Sequence, residues 1–350
     1  MRDLNKFKGC LIGGAVGDAL GYAVEFTNEY GIFSRYGEKG ITRYANGTGI
    51  ISDDTQMTLF TAAGLLAGED YTSHIAEAYL DWYGTQAADY PLPHPHTDLA
   101  GNPELFAWRA PGNTCLSALE HYKETGIYGT REKPLNNSKG CGGVMRVAPI
   151  GLYFCDSPVS IDDSDLLGAD AAAITHGHEL GWRSAMILAH IVRRLAEDDV
   201  TIRKAVDEAL LNNLCLFGSS KANTDFTDKM KRAEELAEEK KLSDLAAIHK
   251  LGEGWVGDEA LAIAVYCAIR HEDDFEAAIC AAVNHGGDSD STGAVCGNIM
   301  GAKLGYEAIP DYYKGENLEL HDVICEIAEA LWDKNHNQNG GNHAFKPRNV

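Results

Sequence analysis

Two short acidic clusters stand far apart in this chain. Ser52-Asp53-Asp54-Thr55 lies inside GIISDDTQMTLF, and Asp288-Ser289-Asp290-Ser291-Thr292 lies inside NHGGDSDSTGAVCGN. Each crowds carboxylates and hydroxyls together, and each runs at once into an apolar helical pattern. Carboxylates packed so closely repel one another and take up protons unless a cation neutralises them. A hard divalent ion such as Mg²⁺ or Mn²⁺ prefers such oxygen ligands. Brought together by the fold, four aspartates and two or more hydroxyls suit two metal ions in one cleft, the chemistry of a metal-dependent hydrolase. Helix capping is the plainer explanation: Ser52 or Asp53 would cap a helix starting near Asp54, and Asp290 or Ser291 one starting near Thr292. Capping accounts for one acid per helix, leaves the second in each cluster unexplained, and is compatible with a ligand role.

Other residues join this set by type. Asp18 and Glu25 interrupt the small, apolar run GCLIGGAVGDALGYAVEF, where a buried carboxylate is costly unless hydrogen-bonded or functional. A Glu25 that faces the cleft is placed to orient water or to protonate a leaving group; otherwise it marks an exposed helix end. Ser138-Lys139-Gly140-Cys141-Gly142-Gly143 is a glycine loop whose backbone amides suit phosphate oxygens, although it matches neither the P-loop nor the dinucleotide fingerprint. Thr175-His176-Gly177-His178 offers two histidines, too few for zinc without His94 and His96. A ligand-contacting or capping role fits these histidines better. No nucleophile elbow, HExxH or cysteine-protease pattern occurs.

The elements that must position these groups are helices. Helical periodicity covers roughly 8–22, 54–68, 74–84, 113–124, 166–174, 179–197, 201–214, 227–240, 257–271, 275–283, 291–304 and 320–333. No Pro/Gly/Ser linker divides them, so one all-α domain over 1–333 is expected. Loops are expected over 86–112 and 129–143, and a flexible tail over 334–350. Gly13, Gly17 and Gly21 recur every four residues, as do Gly293, Gly297, Gly301 and Gly305. Each glycine costs a helix about 1 kcal/mol relative to alanine, so the stripes imply close backbone contact at the centre of the fold, with the acidic clusters in one cavity.

Composition bounds the function. The 350 residues are 45% hydrophobic, ordinary for a globular chain, and carry a formal charge of −22 that disfavours a nucleic-acid backbone as partner. Nine dispersed cysteines without a CxxC pair fit free thiols in a reducing compartment. The N-terminal apolar stretch, broken by Asp18, is too short and polar for a membrane span. A cytoplasmic protein is the expectation.

From GCLIGGAVGDALGYAVEF through SDDTQM, PGNTCLSAL, KGCGGVMRVAPIGL, THGHELG and GWVGDEALAIAVYCAI to GGDSDSTGAVCGNIMGA, the chain resembles the ADP-ribosylglycohydrolase family over nearly its whole length. The resemblance implies an all-α fold with a central dimetal Mg²⁺ or Mn²⁺ cleft, and hydrolysis of the bond joining ADP-ribose to a modified acceptor, ADP-ribosyl-arginine foremost. It implies Ser52, Asp53, Asp54, Asp288, Asp290 and Ser291 as metal ligands, with serine where many relatives carry threonine. It implies Glu25 and Asp290 for proton movement, Ser138, Gly140, Cys141, Gly142 and Gly143 for the diphosphate or adenosine side of ADP-ribose, and His176 as a ligand contact. The expected partner is an ADP-ribosylated protein. The alternative is an immunity protein that occludes a cognate ADP-ribosylating toxin.

Overall fold

The computed structural model describes residues 3–334, so the tail expected from 334 onward lies outside the described residues except for Lys334. Fifteen α-helices make up this part of the chain. In order they are α1 (Leu4–Tyr22), α2 (Glu29–Tyr36), α3 (Asp53–Ala67), α4 (Tyr71–Ala87), α5 (Asn113–Thr125), α6 (Ala148–Tyr153), α7 (Ile161–Ala173) and α8 (Glu179–Glu197). They continue with α9 (Ile202–Phe217), α10 (Lys221–Glu238), α11 (Asp244–Ile248), α12 (Gly257–Arg270), α13 (Phe275–Val283), α14 (Ser289–Leu304) and α15 (His321–Asp333). Extended pairing among the described residues is confined to two isolated bridges, Gly49 with Leu318 and Gly140 with Val256. The all-α expectation holds, and all twelve expected helices are present. The three unexpected ones, α2, α6 and α11, have eight residues or fewer, too few turns to establish a period.

The fold is organised around α1 and α14. They run antiparallel with glycine facing backbone at every turn. A Cβ on Gly13 would meet the Gly297 carbonyl oxygen at 2.4 Å, and one on Gly17 would meet that of Gly293 at 2.0 Å. One on Gly301 would meet the Gly9 carbonyl oxygen at 1.8 Å, and one on Gly21 that of Ser289 at 2.1 Å. No side chain fits in these gaps, which explains why two interior helices carry residues that individually destabilise a helix. Both helices are buried on all sides. At the Ser289 end this contact brings the start of α14 against the last turn of α1, and so next to Glu25.

The first acidic cluster is fixed to the same helix by Asp18. Its carboxylate accepts hydrogen bonds from the Ser52 amide (2.9 and 3.1 Å), from the Thr55 amide (3.1 Å) and from the Thr55 hydroxyl. A buried acid on α1 therefore satisfies amides at the start of α3 that the helix itself leaves unpaired. The strand-like approach to Ser52 is pinned in turn by residues 317–319. The Gly49 amide donates to the Asn317 carbonyl (2.7 Å), and the Ile51 amide to the Glu319 carboxylate (3.1 Å).

Gly297→Ala is expected to destabilise the fold by about 3 kcal/mol or more, because the added methyl must displace the Gly13 carbonyl rather than a side chain. Its Cβ would lie 1.9 Å from that oxygen. Gly112→Ala, whose Cβ meets nothing within 4 Å, is expected to change stability by less than about 0.5 kcal/mol. Urea unfolding of the two variants checks the contrast.

Candidate metal centre

The expected clusters converge at the N-terminal ends of α3 and α14. Capping and convergence coexist. Ser52 Oγ caps α3 by accepting from the Asp54 amide (3.2 Å), and Asp288 Oδ1 caps α14 by accepting from the Ser291 amide (3.3 Å). The second cap falls on Asp288 rather than on Asp290 or Ser291, because α14 begins at Ser289, one turn earlier than its apolar pattern indicates. Asp290 Oδ1 also accepts from the Ser291 amide (2.9 Å). Dipoles at both helix starts favour negative charge there.

Glu25, on the turn after α1, completes the group. One carboxylate oxygen each of Glu25, Asp288 and Asp290 lie within 4.8 Å of one another, and all three residues are buried. Burial, and then the charge of Asp290, hold Asp53, Asp54 and Asp288 well above the usual carboxylate range. The same two causes push Asp18 up to about 7, against the opposing hydrogen bonds of Thr55 and Ser52. Burial, Asp290 and Asp288 push Glu25 up to about 10. Two buried oxygens in the cluster, Asp54 Oδ1 and Glu25 Oε2, have no hydrogen-bond partner among the described residues. Crowded acids with unsatisfied oxygens, and no lysine or arginine bonded to them among the described residues, are a donor set that hard divalent cations fit.

The remaining expected residues surround this centre. The Cys141 thiol donates to Asp288 Oδ2 at 2.8 Å, placing the glycine loop directly against the second cluster. Ser138 Oγ accepts from the Gly140 amide (3.3 Å) and meets Thr114 Oγ1 (3.2 Å). His176 lies beneath the loop, 2% exposed. A Cβ on Gly140 or Gly142 would stand 3.3 or 3.1 Å from its Nε2. Burial and then Arg146 lower it to about 3, so its ring is neutral. A Cβ on Gly143 would stand 3.0 Å from that of Ala172 and 3.7 Å from that of His176. His178 caps α8, Nδ1 accepting from the Leu180 amide (3.0 Å), while His96 is bonded to Asp81 (2.9 Å). Among the described residues the four histidines form no shared metal group. Asp53 is tied to the loop before α5, its amide donating to the Arg109 carbonyl (3.0 Å) and Oδ2 accepting from the Gly112 amide (3.2 Å).

Several positioning residues lack a local sequence signal. Glu259 Oε2 accepts from the amides of Glu253 (3.0 Å) and Gly254 (3.3 Å), and the Glu253 carbonyl accepts from the Asp288 amide (2.8 Å). His285 Nδ1 accepts from the Gly287 amide (3.1 Å), which leaves Nε2 to donate to Thr292 Oγ1 (2.9 Å). Arg146 is fully buried, with its guanidinium on the Thr175 hydroxyl (2.8 Å) and over the Tyr79 ring. All three stood inside quoted motifs, Glu259 in GWVGDEALAIAVYCAI, His285 in NHGGDSDSTGAVCGN and Arg146 in KGCGGVMRVAPIGL, yet nothing local marked any of them for a role.

The family model for ADP-ribosylglycohydrolase matches residues 1–340. The mouse (Mus musculus) protein ADP-ribosylhydrolase ARH3 is 25% identical, over 95% of this chain and 93% of its own. ADP-ribosylarginine hydrolase Tri1 of Serratia proteamaculans is 26% identical, over 94% of this chain and 79% of its own. A solved structure titled "ADP-ribosylglycohydrolase-related protein complex" superposes with a TM-score of 0.67 at 24% identity, covering 94% of this chain and 97% of the other.

Acids raised in the folded state bind more protons there than in the unfolded chain, so their contribution to stability falls as pH rises above their unfolded values of about 4. Stripped of divalent cations, the protein is expected to lose thermal stability between about pH 4.5 and pH 7, where Asp18 titrates, and to continue losing it towards the higher value of Glu25. Mg²⁺ added at pH 8 is expected to restore the midpoint. Thermal unfolding across pH, in EDTA and in Mg²⁺, checks both the sign and the reversal.

Proposed function

Because the chain belongs to the ADP-ribosylglycohydrolase family, we propose that it is a metal-dependent hydrolase that removes ADP-ribose from a modified acceptor, with ADP-ribosyl-arginine as the substrate. The observation that carries this reading is the convergence of Glu25, Asp288 and Asp290 beside the Asp53-Asp54 pair, with two buried oxygens left unpartnered. Arginine as acceptor is supported by the name of the Serratia relative, an ADP-ribosylarginine hydrolase, and by the chain's acidity, which suits a cationic leaving group.

The cations, Mg²⁺ or Mn²⁺, would be held by Ser52, Asp53, Asp54, Asp288, Asp290 and Ser291. Bound there, they would polarise ribose hydroxyls and lower the pKa of a water near the anomeric carbon. The chain's own groups do the rest. Ser138 to Gly143 would receive the diphosphate on backbone amides, with neutral His176 keeping the loop in shape from below. Carboxylates around the ribose stabilise the positive charge that grows on it as the glycosidic bond breaks. Asp290 and Glu25 guide the proton. Glu25 Oε2, buried and without a partner, is placed to hold the attacking water or to protonate the departing nitrogen. Free cysteines throughout the described residues support a reducing, cytoplasmic setting. Among the same residues no helix is long and apolar enough to cross a membrane.

Release of ADP-ribose from arginine-modified protein is expected in Mg²⁺ and is expected to stop in EDTA. Asp288→Ala is expected to lower the rate by about two orders of magnitude or more, the scale of losing cation stabilisation of the transition state. Chromatographic quantitation of released ADP-ribose checks both; an undiminished rate in Asp288→Ala contradicts the site.

A further inference from the structure

The turn that carries Glu25 and the loop that holds Asp288 each present one large aromatic ring to solvent. Phe26 is 76% exposed and Trp255 is 40% exposed. Their ring centroids are 6.4 Å apart and their planes are 21° from parallel. Two large rings held near-parallel in water at the edge of a buried acidic cluster mark a recognition surface.

Neither ring rides on a loose segment. The Trp255 loop is tied at both ends. Glu259 accepts from the amides of Glu253 and Gly254, the Glu253 carbonyl accepts from Asp288, and the Gly257 amide donates to the Lys139 carbonyl (2.8 Å). Phe26 sits between Glu25 and the cap of α2. There the Thr27 amide donates to the Val24 carbonyl (2.8 Å), and Asn28 Oδ1 accepts from the Gly31 amide (2.9 Å). Both segments pack on the glycines preceding Asp288. A Cβ on Gly287 would strike the Glu253 carbonyl at 1.8 Å, and one on Gly286 would stand 3.6 Å from Glu29.

The segments next to this pair differ in charge. A cavity of about 370 Å³ adjoins the Phe26 turn, lined by Glu29, Tyr30, His249, Glu253 and neighbouring glycines, with no lysine or arginine in its wall. Its Glu29 is bonded to His249. Beside the Trp255 loop, exposed Lys139 belongs to the glycine loop, which pairs through Gly140 with Val256. An anionic diphosphate is attracted to the lysine side and repelled by Glu29 and Glu253; a planar cation experiences the reverse. A guanidinium on these ring faces lies within the reach of about 6 Å over which an aromatic quadrupole attracts a cation.

We propose that Phe26 and Trp255 form the acceptor subsite, holding the guanidinium of an ADP-ribosylated arginine against their faces while its bond to ribose is cleaved beside Glu25. This inference rests on the hydrolase reading. The test compares wild type, Phe26→Ala, Trp255→Ala and Trp255→Phe on arginine- and serine-modified peptides in Mg²⁺, alongside calorimetric affinity for free ADP-ribose. For the arginine peptide, KM is expected to rise about tenfold in each alanine variant. The kcat should stay within about twofold, Trp255→Phe should recover most of the loss, and ADP-ribose affinity should be unchanged. An unchanged KM overturns the subsite. So does an equal loss of affinity for free ADP-ribose, which would place adenosine or ribose on the rings. Release from the serine peptide alone overturns the guanidinium assignment while the hydrolase reading stands; release from neither peptide overturns the hydrolase reading itself.

Discussion

The contact on which everything else depends is bare backbone against bare backbone between α1 and α14. Glycine at four-residue intervals lets the two helices approach until any Cβ would overlap a carbonyl oxygen of the other. That approach sets the start of α14 beside the end of α1, and Asp18, one turn further in, reaches across to hold the start of α3. Three helix ends are thereby aimed at one point. Stability at the centre and the geometry of the acidic site are consequences of the same contact, so a methyl group added there disturbs both.

Crowding the acids is costly, and the cost is visible in the structure. Burial and mutual repulsion hold Asp53, Asp54 and Asp288 in a range where protons bind easily. The helix dipoles and the hydrogen bonds from Ser52, Gly112 and Ser291 offset part of this, yet Asp54 Oδ1 and Glu25 Oε2 stay unsatisfied among the described residues. The unmet demand of these oxygens is what makes a cation the economical partner. Loops from four directions then enclose the cluster: the Glu25 turn, the approach to α5, the glycine loop and the Trp255 loop. Each is anchored by a hydrogen bond to the cluster or its immediate neighbours, which ties substrate-facing segments to the same centre.

The sequence made the long helices, the glycine stripes and the convergence of the two acidic clusters legible, because each repeats a simple period or doubles a rare pattern. It was silent on α2, α6 and α11, which are too short to display a period. It placed the start of α14 near Thr292 because the apolar pattern begins there, whereas polar Asp288 and Ser289 already belong to the helix end. Asp18 was recognisable as an anomaly, an acid in an apolar run, but its partners at Ser52 and Thr55 come from a different helix. Glu259 and His285 bond close in sequence but through loop turns that no period announces, Arg146 bonds across 29 residues to Thr175, and each on its own looks like an ordinary helix or loop residue. The same is true of Phe26 and Trp255, whose proximity exists only once the two loops have folded onto Gly286 and Gly287.

The central claim is that the acidic cluster is a divalent-cation site. Titration of the cation-free protein with Mn²⁺, followed by electron paramagnetic resonance, tests it most directly. Two equivalents bound by wild type, with binding lost or greatly weakened in both Asp54→Ala and Asp288→Ala, is the predicted result. No saturable binding by wild type, or binding that survives both substitutions unchanged, would contradict it.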